Sequence, residues 1–260
     1  MYTTGTLLRR TEVSPHMLRL TFAVPGCRPT ERPDDWLMLF FGEPGDHSLR
    51  RNYTVRAVRP EVEELDIDFA LHEGGLAATW ARTAEPGDEL VWSAAEGGYV
   101  LPEDAEWQLL VGDLTALPAI GRMLAQARPG VQTTVVLEIE DPADRQDWET
   151  DADVRWLHGT CCLNEIVRTF PEPDGPGYIW MAGQTQIVRD ARRYLRHERG
   201  VDKARYSLTG YWMPRSEEWL ERYKPHAEEL SAIWERGEAE GLDEEELMDE
   251  YEAALERAGL

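Results

Sequence analysis

Arg51-Asn52-Tyr53-Thr54-Val55-Arg56 brings a cation, a flat aromatic ring and a hydroxyl together within a few residues. On an extended strand, alternation puts Arg51, Tyr53 and Val55 on one face and Asn52, Thr54 and Arg56 on the other. A flavin dinucleotide needs those three groups. It takes a charge on its pyrophosphate, a surface against its isoalloxazine and a hydrogen-bonding group near the reactive ring nitrogen. The same residues also suit an ordinary sheet strand with a solvated arginine and a half-buried tyrosine.

A second group lies downstream. His72-Glu73-Gly74-Gly75 precedes a run, Leu76–Ala84, that reads as a helix. Glycines allow close backbone approach, the first amides of a helix attract an anion, and Thr79 adds a hydroxyl one turn in. The stretch suits a diphosphate cradle, and it also suits a flexible turn before a surface helix. His72 can serve as a phosphate donor or as a satisfied structural group.

Both groups need a scaffold. Short β-prone runs at Thr3–Thr11, Met17–Val24, Trp36–Phe41, Arg51–Val58, Leu65–Leu71 and Glu89–Ser93 predict a small antiparallel barrel. In one of them Leu65, Ile67, Phe69 and Leu71 alternate with Asp66 and Asp68, the pattern of a strand with one wet face. Gly97-Gly98 and Pro102 mark a domain boundary between Ala95 and Glu106. Beyond it, predicted strands at Trp107–Gly112, Val131–Ile139, Val154–Leu157 and Tyr178–Ala182 alternate with helices at Leu117–Arg128, Leu163–Phe170 and Thr185–Arg199. That rhythm predicts a parallel sheet covered on both faces, with ligands at the carboxyl ends of its strands. Those ends carry Gly112-Asp113-Leu114-Thr115-Ala116-Leu117-Pro118 and Gly183-Gln184-Thr185, and no GxGxxG is present. In the tail, Trp219, Leu220, Tyr223, Leu230, Ile233 and Trp234 recur at near-helical spacing after Ser216. Gly241 ends that run, and Leu242–Ala258 predicts a second helix of an amphipathic pair.

The 260-residue chain is 42% hydrophobic, enough for packed cores, and holds ten tryptophans as large buried or stacking surfaces. Its net charge of -23, from 27 basic and 50 acidic residues, argues against nucleic-acid or anionic-membrane partners. The excess concentrates in the tail, where sixteen acidic residues after Ser216 face four basic ones. Arg50, Arg51, Arg56 and Arg59 make a local basic spot. Cys27, Cys161 and Cys162 show no CxxC spacing, so no metal site is expected. Without a leader-like N-terminus or a long apolar run, the expectation is a soluble cytoplasmic protein.

A barrel followed by an α/β domain, with Arg-x-Tyr-Thr on a barrel strand, resembles the ferredoxin–NADP reductase superfamily. Within it, the Arg51–Arg56 block, Leu65–His72, Gly75–Ala81, Gly112–Ile120, Trp180-Met181-Ala182-Gly183 and Gly210-Tyr211-Trp212 resemble the siderophore-interacting protein family. These blocks come in family order over about residues 3–213. The resemblance implies a two-domain β + α/β fold: an FAD-binding β-barrel at 1–101 and a nucleotide-binding-like α/β domain at 106–213. The pattern of the tail adds the expectation of an acidic helical extension at 214–260 packed on the second domain. The resemblance also implies that Arg51, Tyr53 and Thr54 hold FAD, with Tyr53 against the isoalloxazine and Thr54 near its N5, the two residues at the reaction. His72, Ala77, Ala78 and Thr79 would serve the diphosphate side, and Asp113, Thr115 and Ala116 would complete the cofactor site. Arg50, Arg56 and Arg215 are the expected positive rim for a ferric siderophore.

The implied reaction carries electrons from NAD(P)H through FAD to Fe(III)-siderophore. The softer, lower-charged Fe(II) then leaves its hard oxygen donors. Two other readings stand beside it. One is an FAD protein reduced by a ferredoxin-like or flavodoxin donor, or a general flavin reductase. The other is a non-enzymatic siderophore-binding protein. The chain departs from the family pattern at Leu114, where a glutamate is usual, at Gln184 for another glutamate, and at Leu76 for a proline. Met213-Pro214-Arg215 replace a basic residue and a Gly-Arg pair.

Overall fold

The computed structural model describes residues 2–260 except Pro29, 45–48, Glu73 and 160–162. Cys161, Cys162 and Glu73, singled out above, lie outside the described residues, as do the side chains of Ser216, Glu217 and Leu220. The chain divides into two compact units, Met1–Tyr211 and Trp212–Leu260.

The first unit opens with six strands: β1 (Thr3–Ser14), β2 (Met17–Ala23), β3 (Trp36–Phe40), β4 (Arg50–Arg59), β5 (Glu64–Ala70) and β6 (Glu89–Trp92). They close into an antiparallel barrel in the order β1-β2-β5-β4-β3-β6. Leu7, Leu20, Phe22, Leu39, Val55, Ile67, Phe69 and Trp92 fill it. Helix α1 (Leu76–Thr83) adds Ala77 and Ala81 to that core.

The alternation on β5 is as expected, but its polar face is not wet. Asp66 and Asp68 are 4% and 3% exposed. Arg59 Nη2 meets Asp66 Oδ1 at 2.6 Å, and Arg19 Nε meets Asp68 Oδ1 at 2.6 Å. The apolar stems of the arginines cover the strand while their guanidinium groups pair with the carboxylates. On β4 the register with β5 slips between Val55 and Ala57, a β-bulge at Arg56. The extra residue resets the period, so Val55 and Val58 both pack on the barrel core.

The rest of this unit is a five-stranded sheet ordered β11-β10-β7-β8-β9. Its strands are β7 (Trp107–Asp113), β8 (Gln132–Ile139), β9 (Asp153–His158), β10 (Gly177–Gln184) and β11 (Tyr206–Trp212). The ladders of β10 with β7, β7 with β8 and β8 with β9 are parallel. Helix α2 (Leu117–Ala125) packs on one face; α3 (Leu163–Thr169) and α4 (Thr185–Arg193) pack on the other. The fold is thus the expected barrel followed by a parallel α/β layer.

Two details differ from the sequence reading. Helix α2 stops at Ala125, not Arg128. No strand is predicted over residues 200–213, yet β11 forms there, because its Ser207, Thr209 and Gly210 dilute the apolar signal that sheet pairing overrides.

Buried polar contacts join barrel to sheet. Asp144, 2% exposed, accepts hydrogen bonds from Ser14 Oγ at 2.7 Å and His16 N at 2.9 Å, and its other oxygen meets His16 Nδ1 at 2.8 Å. Asp34 Oδ2 accepts from the backbone N–H of Gly98 and Tyr99 at 3.0 and 2.9 Å and from Trp180 Nε1 at 3.2 Å. Arg122 of α2 donates to Val55 O at 3.1 Å and Thr30 O at 3.2 Å.

The second unit holds three helices where the sequence predicts two: α5 (Ser216–Tyr223), α6 (Ala227–Glu240) and α7 (Glu244–Arg257). Pro225 breaks the first run, because proline has no N–H for a helical bond, and Lys224–His226 form a 3₁₀ turn. Leu230, Ile233, Leu247, Ala254 and Leu255 form the core of this unit, with Trp219, Trp234 and Tyr251 against it. No helix among the described residues is long and apolar enough to cross a membrane.

Candidate functional site

Strand β4 delivers the three groups the sequence singles out. Pairing with β3 sets Leu37 against Tyr53 and Trp36 against Thr54. Tyr53 is half-buried on the barrel core, its ring 4.4 Å from that of Phe69. Phe69 in turn lies 6.3 Å from Trp80 of α1, so an aromatic run links β4 to that helix. Burial pushes the Tyr53 phenol up, against a smaller downward pull from Arg51. Arg51 is half-buried and donates from Nη1 to Arg50 O at 2.7 Å.

Thr54, 5% exposed, faces the other way and shares a hydrogen bond with the side chain of Tyr211. Burial pushes the Tyr211 phenol up and the bond to Thr54 opposes it. The Tyr211 ring stands 6.4 Å from Trp180 at 81°, and the Trp180 indole is held by Asp34. Thr54 is therefore positioned by β10 and β11 as well as by its own barrel.

The start of α1 is shaped by glycine. Gly74 and Gly75 have φ of 72° and 81°, the left-handed region that side chains avoid. A Cβ on Gly75 would stand 2.5 Å from His72 Cε1, so the imidazole lies against that backbone. Thr79 N bonds Gly75 O at 3.1 Å, so Leu76, Ala77 and Ala78 carry the first amides of the helix. Ala77 and Ala78 are buried, and the Thr79 side chain is exposed.

At the carboxyl end of β7, Asp113 Oδ1 accepts from Thr115 N at 2.9 Å and from Thr115 Oγ1 at 2.6 Å. This cap turns the chain into α2. Ala116 is fully buried; a Cβ on Gly112 would come within 2.3 Å of its own Cβ. Leu114, in the place of the usual glutamate, joins the apolar cluster beneath α2. Gln184 ends β10 next to Gly183, whose missing Cβ makes room for the Asp113 carboxylate.

Of the three arginines of the expected rim, the two on the barrel are not neighbours. Arg50 and Arg56 lie six residues apart on one strand, about 20 Å. Arg50 Nη1 points to Met38 Sδ at 3.3 Å. Arg56, with 19% of its side chain exposed, turns beside α2, its Nε 3.8 Å from Asp68 Oδ2. Arg215 belongs to the second unit, where its Nη1 lies 3.7 Å from Glu218. Tyr211, Trp180 and Asp34 are absent from the residues chosen by sequence, since their link to Thr54 spans distant parts of the chain. The one signal for Tyr211 is the Gly210-Tyr211-Trp212 block.

Comparison with known proteins accords with this arrangement. Residues 105–215 match the siderophore-interacting protein family and residues 43–98 its siderophore-interacting FAD-binding domain. The chain is 31% identical over 179 residues to the ferric vibriobactin reductase ViuB of Vibrio cholerae, covering 65% of this chain and 66% of that protein. It is 29% identical over 203 residues to the NADPH-dependent ferric-chelate reductase of Escherichia coli, covering 69% and 79%. It spans 25% of the length of a further curated relative, an import ATP-binding/permease protein. Among solved structures, the siderophore-interacting protein SipS of Aeromonas hydrophila aligns with a TM-score of 0.69 and 30% identity, covering 82% of this chain and 98% of SipS. The chain belongs to the siderophore-interacting protein family.

Proposed function

We propose that this protein is a flavin-dependent reductase of ferric siderophores. In this reading it passes electrons from NAD(P)H through FAD to Fe(III) and so releases Fe(II). The observation that carries it is the aromatic run Tyr53–Phe69–Trp80, which joins the Arg51–Thr54 strand to α1 within the region that matches an FAD-binding domain. The residues fit that cofactor. A half-buried ring, a buried hydroxyl already oriented by Tyr211, a nearby arginine and a glycine-lined helix start offer what its ring system and diphosphate require.

Arg51 and the amides of Leu76, Ala77 and Ala78 would hold the diphosphate, with His72 and Thr79 at its margin. Tyr53 would present its ring to the isoalloxazine and Thr54 its hydroxyl to the reactive edge. When bound, FAD supplies hydride acceptance from NAD(P)H and one-electron delivery to iron. Asp113, Thr115 and Ala116 shape the carboxyl end of the sheet, where a nicotinamide nucleotide would approach. The name of the Escherichia coli relative favours NADPH as donor. Electron transfer to iron needs no general acid or base, in keeping with a site built from binding groups.

The visible spectrum of the purified protein tests this. Flavin absorbance that bleaches on anaerobic NADPH and returns on addition of a ferric siderophore, with Fe(II) trapped by a ferrous chelator, is the expected result. A colourless protein that takes up no added FAD would overturn it. Bleaching by reduced ferredoxin and not by either nicotinamide would assign the donor to a protein instead.

A further inference from the structure

A cleft of about 220 Å³ opens between β4 and α2, lined by Thr30, Arg56, Ala57, Val58, Arg122, Ala125 and Gln126. That is far more than the ~10–15 Å³ one water needs. Its polar wall is mostly donors. Arg122 is 5% exposed, and two of its N–H groups are engaged by the carbonyls of Val55 and Thr30. Arg56 Nε and Thr30 Oγ1 are buried and have no hydrogen-bond partner among the described residues. Next to them, Trp148 Nε1, a donor only, is also buried without a partner among the described residues. A Cβ on Gly121 would stand 3.1 Å from that indole nitrogen and 3.3 Å from Arg56 Nη2, so both donors crowd onto one glycine of α2.

The nearest acceptor does not relieve them. Asp68 Oδ2 is 3.8 Å from Arg56 Nε, and both oxygens of Asp68 already accept from Arg19 at 2.6 and 2.8 Å. Burial pulls the Arg56 and Arg122 guanidinium groups down from their usual range; Arg19 lowers Arg56 further and Arg56 lowers Arg122, while Asp68 and Asp66 oppose the shift at Arg56 and Asp35 and Asp34 oppose it at Arg122. Buried like charges with unmet donors are costly, and native proteins meet such donors with a protein acceptor, an ordered water or an ion.

We propose that this cleft binds a small tetrahedral oxyanion, free inorganic phosphate or sulfate, held by Arg56, Arg122 and the Thr30 hydroxyl. Such an ion offers several acceptor oxygens and a charge that offsets two guanidinium groups. It would tie β4, which carries Tyr53 and Thr54, to α2. The site is separate from the flavin reading and stands or falls without it.

The test is the thermal midpoint of the full chain with its natural complement of cofactor, titrated with sodium phosphate or sodium sulfate. Sodium chloride at equal ionic strength is the reference. A saturable rise with both oxyanions is expected. Two variants locate it. Thr30→Val removes the unmet hydroxyl, so it should raise the midpoint in chloride and weaken the oxyanion response about tenfold. Gln126→Glu places a carboxylate at the arginines and should abolish the response while the protein stays folded. Equal midpoints in oxyanion and chloride would mean that water alone fills the cleft. A rise that survives both variants would place the anion elsewhere. Either result overturns the proposal.

Discussion

The Thr54 side chain on the barrel is hydrogen-bonded to the Tyr211 phenol on the edge strand of the sheet. A residue placed by β4 is thereby oriented from a strand more than a hundred and fifty positions along the chain. Tyr211→Phe keeps the ring beside Trp180 and removes the bond. Stability should fall by about 1 kcal/mol, which in a unit of this size is a drop of about 2–4 °C in midpoint. Scanning calorimetry of both proteins measures it; identical midpoints would show that the bond contributes nothing.

Arg51→Ala removes a charge-assisted contact to the proposed diphosphate, worth about 1.5–3 kcal/mol. FAD affinity should weaken about ten- to hundredfold. Fluorescence titration of the apoprotein with FAD reads this directly, and unchanged affinity would remove Arg51 from the cofactor site.

Arg122→Met leaves the carbonyls of Thr30 and Val55 without their donor. Each unmet buried acceptor costs about 1–3 kcal/mol, so urea unfolding should shift to clearly lower denaturant. A midpoint within error of wild type would mean that water replaces the guanidinium at no cost.

Glu64 receives hydrogen bonds from Arg9 and then Arg59, and these hold its carboxyl down at about 2. The unfolded value is about 4.3. A depressed folded value gives stability that is complete above the unfolded value and fades as pH falls towards the folded one. Thermal midpoints should therefore decline with acid from about pH 4.3 downward, and Glu64→Gln should flatten part of that decline. Parallel pH profiles for the two proteins would rule Glu64 out.

The barrel was readable because strand alternation survives in Leu65, Ile67 and Phe69 and turn residues punctuate the runs. The Arg51–Thr54 group was readable because it is local. The bulge at Arg56 was not, since it appears only when β4 is paired with β5. Asp66 and Asp68 read as solvated because their arginines lie on other strands or beyond a turn. Pro225 was visible but was outweighed by the spacing of Trp219 to Trp234, and it splits that run into two helices. Arg122 and Tyr211 sit on α2 and β11, and their partners belong to the barrel. Nothing near them in sequence announces those contacts.

The second unit has a core of its own in Leu230, Ile233, Leu247 and Leu255. A chain ended after Arg215 keeps β11 and Tyr211, so it should fold and retain flavin. Absorbance after gel filtration checks this. Loss of flavin with the fold intact would place the tail in the cofactor site.

Asp144 reaches from the sheet layer to the Ser14 hydroxyl and His16 at the tip of the first hairpin. The barrel and the α/β layer are therefore not freely exchangeable modules. A chimera that borrows a relative's barrel inherits a buried carboxylate at residue 144 that must again find a hydroxyl, a backbone N–H and an imidazole. Grafts that carry Ser14 and His16 along with the barrel should express as folded protein, and those that do not should fail at this seam first.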